Sequence, residues 1–269
     1  MRYIVFDGRG SSPPGSITFT HRSLDGCDFY FISYQENNFT KLRLSLRVSG
    51  REPELWDGVT GKINKAGLWS NENGRTVLTL HLDANASVFI VLKKRASLKR
   101  SPDILRSATK RSVQNLSGNW IVTFDAKNGG PVKPVVFDSL LDWSKHADPH
   151  IKYYSGTAVY AKTFSLQEID GLKPVWLKFA EINNIATVKV NGINCGTIWT
   201  APYEIDIRKA IRKGDNQLII EVTNTWANRL IGDQWLPVNK RITWTTAPFR
   251  LKDKPLLPAG MIGSVRIIR

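Results

Sequence analysis

Apolar and polar residues alternate along most of this sequence, and this period of two constrains the fold more than any other feature. A strand that buries one face and exposes the other produces such a period, because successive side chains point to opposite faces of a sheet. Turn-forming residues such as "LDG" and "ENN" separate the alternating segments. In the first part of the chain, the predicted strands are residues 16–22, 28–34, 41–48, 75–82 and 87–92.

The same alternation returns after residue 115, which indicates a second β-rich region. Asn191-Gly192 predicts a tight hairpin there, because both residues tolerate the positive φ that a type I′ turn requires. A short helical turn capped by Asp206 is predicted at residues 206–216, and convincing amphipathic helices are otherwise scarce. The predicted strands of this region are residues 116–124, 156–164, 173–180, 184–191 and 216–224.

Short strands separated by regular turns predict an all-β protein of two antiparallel β-sandwich domains. The expected division is a sandwich at 1–94, a basic linker at 95–114 and a second sandwich at 115–269. The chain has a net charge of +15, and residues 93–111 contain eight Lys or Arg and a single acidic residue. We interpret this segment as a solvated linker, and the alternative is attraction to nucleic acid or an acidic polysaccharide.

The sequence lacks the usual features of several functional classes. No helix-turn-helix, zinc-finger or aromatic RNA-binding pattern accompanies the positive charge, so no nucleic-acid partner is expected. No apolar run approaches the roughly 20 residues of a membrane helix, so no membrane span is expected. Cys27 and Cys195 are interpreted as two small buried side chains, which excludes a disulfide framework.

The sequence contains no recognisable catalytic motif. None of the four histidines lies in HExxH or beside a G-x-S-x-G turn. His146 and His150 would need a shared helix to bind a metal, and Pro149 argues against one. Paired carboxylates could hydrolyse glycosides, but the candidates have no supporting motif. These candidates are Glu52, Glu54, Asp57, Glu181, Asp206, Glu221 and Asp233.

Aromatic residues beside polar ones are the most distinctive local feature, and they are densest in "NTWANRLIGDQWLP" at residues 224–237. Indole rings stack on sugar C–H faces, while amide, carboxylate and guanidinium groups bind hydroxyls. An alternative is that these residues close one end of the sandwich, with Arg229 and Asp233 paired to each other. The predicted ligand-binding residues are Trp199, Tyr203, Asn224, Trp226, Asn228, Arg229, Asp233 and Trp235.

The second region resembles the galactose-binding-like jelly-roll domains of glycoside hydrolases, including the family 2 sugar-binding domain. The shared pattern comprises V-x-V-N-G at 188–192, G-x-x-W at 196–199, and a strand that ends in Asn and Trp at 222–226. Almost the whole chain also resembles the C-terminal region of glycoside hydrolase family 106, the α-L-rhamnosidases of plant-cell-wall breakdown. That resemblance is carried by "FTHRSLDGCDFYFISYQ", "RVSGREPELWDGVTG", "LSGNWIVTF", "NTWANRLIGDQWLP" and "PAGMIGSVRI".

The resemblance implies a non-catalytic portion, because the acid and base of that family lie in an N-terminal barrel that this chain lacks. A (β/α) barrel needs at least about 200 residues. The implied role is an accessory portion, either a fragment or a short separate gene product, with no activity expected on its own. "ISYQ" departs from the family pattern, since Tyr34 stands where a compact Asn is expected.

The implied partners are a carbohydrate, specifically a rhamnose-containing pectin, and a catalytic barrel on this or another chain. One alternative is a structural domain pair that docks the barrel without binding sugar. Another is a stand-alone hydrolase with carboxylates in the cleft between the sandwiches. No organic cofactor is expected, and a structural calcium ion is a further expectation, since related jelly rolls carry one. The family suggests a periplasmic or extracellular setting, and the sequence itself leaves the compartment open.

Overall fold

The computed structural model describes residues 4–6, 14–96, 112–168, 174–246 and 254–269. Two compact units make up the chain, Met1–Ala108 and Thr109–Arg269. Most of the predicted basic linker, residues 97–111, lies outside the described residues. Among the helices of the described ranges, none is long and apolar enough to cross a membrane.

The first unit is a sandwich of two antiparallel sheets, as the alternating pattern predicts. One sheet has the strand order β1-β4-β8-β7, and the other has the order β2-β3-β9-β5-β6. The strands are β1 (Ile4–Phe6), β2 (Ile17–Leu24), β3 (Cys27–Tyr34), β4 (Thr40–Leu46), β5 (Arg51–Trp56), β6 (Ile63–Lys65), β7 (Trp69–Glu72), β8 (Arg75–Leu82) and β9 (Ser87–Arg95).

The second unit is also an antiparallel sandwich, with a four-stranded and a six-stranded sheet. Their strand orders are β10-β19-β14-β17 and β12-β11-β13-β18-β15-β16. The strands are β10 (Ser112–Asn115), β11 (Trp120–Thr123), β12 (Val135–Phe137), β13 (Thr157–Leu166), β14 (Trp176–Asn183), β15 (Ile185–Val190), β16 (Ile193–Ile198), β17 (Glu204–Asp206), β18 (Gly214–Thr223) and β19 (Gly260–Ile268). The all-β prediction is therefore confirmed.

Strand β3 shows how the period of two builds the core of the first unit. Its side chains alternate between partly exposed and buried, with Tyr30, Ile32 and Tyr34 all buried. The Tyr34 hydroxyl donates a hydrogen bond to the Asn38 side-chain oxygen. The tyrosine that departs from the family pattern is thus a core residue whose polar atom is satisfied within its own loop.

A polar cluster around Asp28 connects three strands of the first unit. Its carboxylate accepts hydrogen bonds from Ser23 Oγ at 2.5 Å and from Arg51 Nη1 at 2.8 Å, and His21 Nε2 lies 2.9 Å away. Burial raises the pKa of Asp28, but the hydrogen bonds and the positive charge of Arg51 outweigh it, so the pKa is lowered overall.

The lowered pKa of Asp28 predicts an acid-sensitive contribution to the stability of the first unit. A carboxyl group with a depressed folded-state pKa stabilises the fold above its unfolded pKa, about 3.9, and loses that contribution as pH falls through the folded pKa. Urea unfolding at pH 2–6 should show that Asp28→Asn is destabilised at pH 6, with a deficit that shrinks towards pH 2. A deficit independent of pH would contradict this assignment.

The core of the second unit is organised around the buried Trp143, which precedes β13. Its indole Nε1 donates to the hydroxyl of Tyr160 at 2.7 Å, and the two rings are nearly parallel with centroids 6.3 Å apart. Gly260, at the start of β19, has φ +89° and lies against this indole. A Cβ atom at Gly260 would lie 2.6 Å from Trp143 Cε2, so only glycine fits.

Gly260→Ala should destabilise the second unit by about 2–4 kcal/mol, which combines the cost of a left-handed conformation with overpacking. Gly214→Ala is the matched control, because Gly214 has φ +82° but nothing within 4 Å of an added Cβ. In that control, the free energy of unfolding should fall by only about 1–2 kcal/mol. Denaturant midpoints of both variants measure the difference, and equal losses would show that the indole contact is unimportant.

Helices are few and short in the described residues, and the sequence predicted them poorly. The turn predicted after Asp206 is a single hydrogen-bonded turn whose Arg208 N–H donates to the Asp206 carboxylate at 2.9 Å. Helix α1 (Pro149–Lys152) begins at the proline that was expected to prevent a helix. Proline suits the first helical position because the N–H it lacks would be unpaired there. Helix α2 (Ala227–Asp233) was not predicted at all.

Candidate functional site

One end of the second unit carries every residue predicted to bind a ligand. Thr223, the last residue of β18, pairs with Thr157 at the start of β13 and with Ile185 at the start of β15. Ile198, the last residue of β16, pairs with the second residue of β15. The chain therefore leaves β16 and β18 at the same end of the six-stranded sheet. We name the segments 199–203 and 224–246 at this end the tryptophan rim.

Four of the nine tryptophans are more than half exposed, and all four lie in the tryptophan rim. Trp199 is 55% exposed, Trp226 53%, Trp235 66% and Trp244 81%. The tryptophans of the two cores, by contrast, are almost completely buried at Trp69, Trp120 and Trp143. Large exposed aromatic side chains at one end of a domain are typical of an interaction site.

Tyr203 lies four residues after Trp199, but its side chain packs against the core. Its ring packs against the hydrophobic cluster of the second unit, and its carbonyl accepts the Phe179 N–H at 2.9 Å. Burial and the negative charge of Glu181 both raise the pKa of its hydroxyl. Tyr203 therefore positions the 199–203 segment, while Trp199 is the exposed ring of this pair.

The two predicted asparagines fasten loops through their side-chain amides. Asn224 accepts the Gly156 N–H and donates to the Tyr154 carbonyl, both at 2.9 Å. Asn228 donates to the Leu257 carbonyl at 2.7 Å and accepts the Leu257 N–H at 2.8 Å. Each side-chain amide therefore both donates to and accepts from the backbone of another segment, and these hydrogen bonds hold the rim segments in place.

Arg229 and Asp233 form a buried ion pair one turn apart on α2, as the i, i+4 spacing suggested. Arg229 Nε lies 3.0 Å from Asp233 Oδ1, and both side chains are more than nine-tenths buried. The contact is too bent for a hydrogen bond, so the attraction between the two charges maintains it.

The second oxygen of Asp233 fixes the loop that carries Trp244. Oδ2 accepts three hydrogen bonds, from the Ile242 N–H at 3.0 Å, the Thr243 N–H at 2.8 Å and the Thr243 hydroxyl at 2.6 Å. Charge-assisted hydrogen bonds of this kind are about twice as strong as neutral ones. Asp233 therefore connects α2 to residues nine and ten positions further along the chain.

A groove of about 480 Å³ lies over this loop. Val238, Arg241, Ile242 and Trp244 are among its lining residues. Val238 and Trp244 are largely exposed, and the guanidinium of Arg241 donates to the carbonyls of Leu236 and Gln234. The groove is of mixed character, because polar residues that include Gln234 and Thr243 line it beside the apolar ones.

The sequence prediction ended the candidate site at Trp235. It therefore missed Val238, Ile242 and Trp244. Trp244 lies between two threonines in "RITWTTAPFR". The criterion that selected Trp235, a tryptophan beside polar residues, could therefore have selected Trp244 as well. The aliphatic members have no comparable sequence signal, since exposed and buried Val or Ile look alike in a loop.

The other carboxylates considered for glycoside hydrolysis have protein partners of their own. They cap turns, pair with lysines or hold a neighbouring amide, which are the usual structural roles of acidic residues in sheets. The pairs are Glu52 with Lys65, Glu54 with Lys93, Asp57 with Thr60, Glu181 with Asn183, Asp206 with Arg208 and Glu221 with Lys189.

The two histidines considered for a metal site each contact the protein backbone. His146 Nδ1 accepts the Asp148 N–H, whereas His150 lies on α1 with its Nδ1 3.1 Å from the Gly129 carbonyl oxygen. Across the described ranges, there is no group of three or more His, Cys, Asp or Glu side chains that could hold a metal ion. A calcium ion held by loop carbonyls stays a prediction without named ligands.

Two family profiles match separate parts of the chain. Residues 6–69 match the glycoside hydrolase family 106 α-L-rhamnosidases, and residues 120–237 match the glycosyl hydrolase 2 galactose-binding domain-like family. The second match includes the tryptophan rim up to Pro237. The resemblance to these two glycoside hydrolase families is confirmed.

Two relatives support the same assignment. The structure of a rhamnosidase from Novosphingobium sp. PP1Y is 39% identical, with a TM-score of 0.85 over 98% of this chain and 24% of that chain. A putative β-glucuronidase of Formosa agariphila is 33% identical over 86% of this chain and 22% of that protein. The chain thus spans about a quarter of the length of each relative and corresponds to an accessory portion of these glycoside hydrolases.

Replacement of Asp233 should unfold the rim and lower the stability of the second unit. Asp233→Ala removes an acceptor of three hydrogen bonds and leaves Arg229 as a buried unpaired cation, which costs roughly 3–5 kcal/mol. Urea unfolding measures the loss, and limited proteolysis should show new cleavage within residues 234–246.

The matched control is Glu221→Ala, which breaks a partly exposed ion pair with Lys189 in the same unit. That change should cost no more than about 1 kcal/mol and leave the proteolysis pattern unaltered. If the two variants were equally stable, the buried pair would not be what secures the rim.

Proposed function

We propose that this chain is a non-catalytic accessory portion of an α-L-rhamnosidase-like glycoside hydrolase of plant polysaccharide breakdown. Its tryptophan rim packs against the catalytic portion, which lies on the same polypeptide or on a separate chain. The observation that carries this proposal is the cluster of exposed aliphatic and aromatic side chains on the rim.

The absence of a free carboxylate pair among the candidates supports a non-catalytic role. Glycosidases need two carboxyl groups about 5–10 Å apart that face a shared pocket. Each acidic residue considered from the sequence instead holds a turn, a lysine or a neighbouring loop, as described above. The remaining three quarters of the relatives' length leaves ample room for catalytic residues elsewhere.

The composition of the rim favours a protein partner over a sugar. Sugar sites combine aromatic rings with polar groups that bind hydroxyls. In this rim, the polar groups of Asn224, Asn228 and Asp233 are already paired with backbone, whereas exposed aliphatic side chains accompany the tryptophans. These aliphatic residues are Leu236, Val238 and Ile242, with exposures between 37% and 78%.

A second candidate function is direct binding of a neutral glycan at the rim. It is favoured by the exposed rings of Trp199 and Trp226, which have no aromatic neighbour or cation contact within the described residues. Indole faces stack on sugar rings without the help of many hydrogen bonds. The two candidate functions therefore use the same surface, and they differ in whether a protein or a glycan covers it.

Sedimentation velocity and sugar titration separate the two candidates. If the rim is a docking surface, the purified chain should self-associate as its concentration rises, because the exposed apolar patch has no partner. Trp244→Ser should reduce that association. Leu24→Ser, which removes a 65% exposed apolar side chain from the β2–β3 hairpin of the first unit, should leave the association unchanged.

Titration with L-rhamnose and neutral rhamno-oligosaccharides, followed by tryptophan fluorescence, should give no saturable change under the docking proposal. Saturable quenching that is insensitive to salt and is lost in Trp226→Ala would overturn docking in favour of glycan binding. Circular dichroism of each variant verifies that the sandwich remains folded.

A further inference from the structure

We propose that the outer face of the five-stranded sheet in the first unit binds an extended acidic polysaccharide. Three neighbouring rows of side chains lie on this face: a row of hydroxyls, an aromatic row, and a charged row in which the cations are the more exposed groups. Together they can contact the carbon–hydrogen faces, the hydroxyls and the carboxylates of one sugar chain. The choice of a polysaccharide among polyanions rests on the proposed function.

Aromatic side chains of this sheet lie on the face opposite the core. In β3, Tyr30 and Ile32 are buried in the core, so the alternating Phe29 and Phe31 point to the outer face. An antiparallel sheet with a solvated outer face normally carries polar residues there, so an apolar outer row indicates an interaction surface. We name this surface the aromatic face; its residues are Phe29, Phe31, Trp56, Ile63 and Phe89, which are partly or largely exposed and lie outside the core cluster.

Strand register aligns four of these residues in one row across the sheet. Phe31 pairs with Phe89, Phe89 with Trp56, and Trp56 with Ile63. The row therefore crosses four strands and is about 14 Å long at the usual strand spacing. The ring centroids of Phe31 and Phe89 are 4.7 Å apart, so the row is continuous there. An open apolar strip of this length suits successive units of a chain better than a single sugar.

Trp56 is oriented by its neighbours before any ligand binds. Its Nε1 donates a hydrogen bond to the Glu54 carboxylate at 3.0 Å, and the ring of Phe29 meets it edge-on with centroids 6.4 Å apart. Lys93 Nζ lies 4.9 Å from the indole centroid. A side chain that is already fixed loses little conformational entropy on binding, which favours association.

A row of hydroxyls lies beside the aromatic row. Thr18 pairs with Ser33, and Ser33 pairs with Ser87. Ser33 is two residues after Phe31, and Ser87 is two residues before Phe89, so these hydroxyls share the outer face with the rings. Within the described ranges, the hydroxyls of Ser33 and Ser87 have no hydrogen-bond partner. They are therefore available to donate to and accept from sugar hydroxyls, unlike the committed asparagine amides of the tryptophan rim.

Charged groups lie on the other side of the aromatic row, and the cations are the more exposed ones. Lys65 lies 3.3 Å from Glu52, while Lys93 and Lys94 lie 3.0 and 3.9 Å from Glu54. The side chains of Lys65 and Lys94 are 82% and 71% exposed, whereas those of Glu52 and Glu54 are 28% and 15% exposed. An approaching chain therefore meets ammonium groups first, which favours an acidic polysaccharide over a neutral one.

Titration of the whole chain with a short oligogalacturonate tests the proposal, with a neutral galacto-oligosaccharide of equal length as the matched ligand. We expect a saturable shift of the Trp56 indole N–H resonance with the acidic oligomer and a much weaker response to the neutral one. The Trp244 resonance should stay unchanged in both titrations, because that ring lies in the tryptophan rim.

Two variants with matched controls test the aromatic and charged rows. Phe89→Ala should weaken binding about fivefold to tenfold. Its control, Phe39→Ala, removes an exposed ring that contacts His81 of the other sheet, and it should change affinity less than about twofold. Lys65→Gln should weaken binding about twofold to threefold at low salt and have no effect at high salt. Its control, Lys145→Gln, removes an almost equally exposed lysine from the second unit and should leave affinity unchanged.

Contrary outcomes are specific to each part of the proposal. Absence of a Trp56 shift in the folded chain, or unchanged affinity in Phe89→Ala, would overturn the site. Equal affinity for the neutral oligosaccharide would overturn the acidic assignment. Equal affinity for an oligothymidylate of the same charge would overturn the sugar assignment and indicate a surface for polyanions in general. Circular dichroism verifies that each variant remains folded.

Failure of this site is distinguishable from failure of the docking proposal. Trp244→Ser should reduce self-association and leave binding of the oligogalacturonate unchanged. Phe89→Ala should have the opposite effects, because the two residues lie in different units. Absence of self-association alone would contradict docking at the rim, and absence of the Trp56 response alone would contradict the aromatic face.

Discussion

The buried carboxylate of Asp233 is the constraint on which the functional end of this protein depends. One oxygen faces the Arg229 guanidinium, and the other accepts three hydrogen bonds from residues 242 and 243. Residues 234–246 contain no long helix or strand of their own, so they cannot build a stable structure from local hydrogen bonds. A single desolvated anion therefore orders the segment that presents Trp235 and Trp244, and its charge is balanced by an arginine that the same helix supplies.

This arrangement shows why residues that fasten loops and residues that bind sugar look alike in a sequence. Amide, guanidinium and carboxylate groups are needed for hydroxyl recognition and for loop fastening alike. Among the predicted residues, Asn224 and Asn228 are committed to backbone partners, and the largely exposed side chains are those of Trp199, Trp226 and Trp235. This composition is what favours the docking proposal over direct glycan binding.

The family comparisons place this surface in a wider context. The rhamnosidase and the putative β-glucuronidase that resemble this chain are each about four times its length. Under the docking proposal, the rim would stabilise a neighbouring portion by burying apolar surface, at roughly 25 cal/mol per Å².

Much of the fold could be predicted from the sequence, because alternation and turn chemistry are local properties. The strands around Tyr30 and Trp120, the buried faces they form and the Asn191-Gly192 hairpin all follow from residues close together in the chain. The helix at Ala227–Asp233 escaped prediction because seven residues show less than two turns of periodicity and its stability comes from tertiary contacts.

The sequence by itself determined the class of fold, the two glycoside hydrolase resemblances and the region of the chain in which the candidate site lies. Only the tertiary structure decided which members of that region are exposed. Asn228 is occupied by Leu257, which is 29 residues away, and Arg229 is confined beside Gly129, 100 residues earlier. Burial and hydrogen-bond satisfaction depend on such distant neighbours, and no local pattern records them.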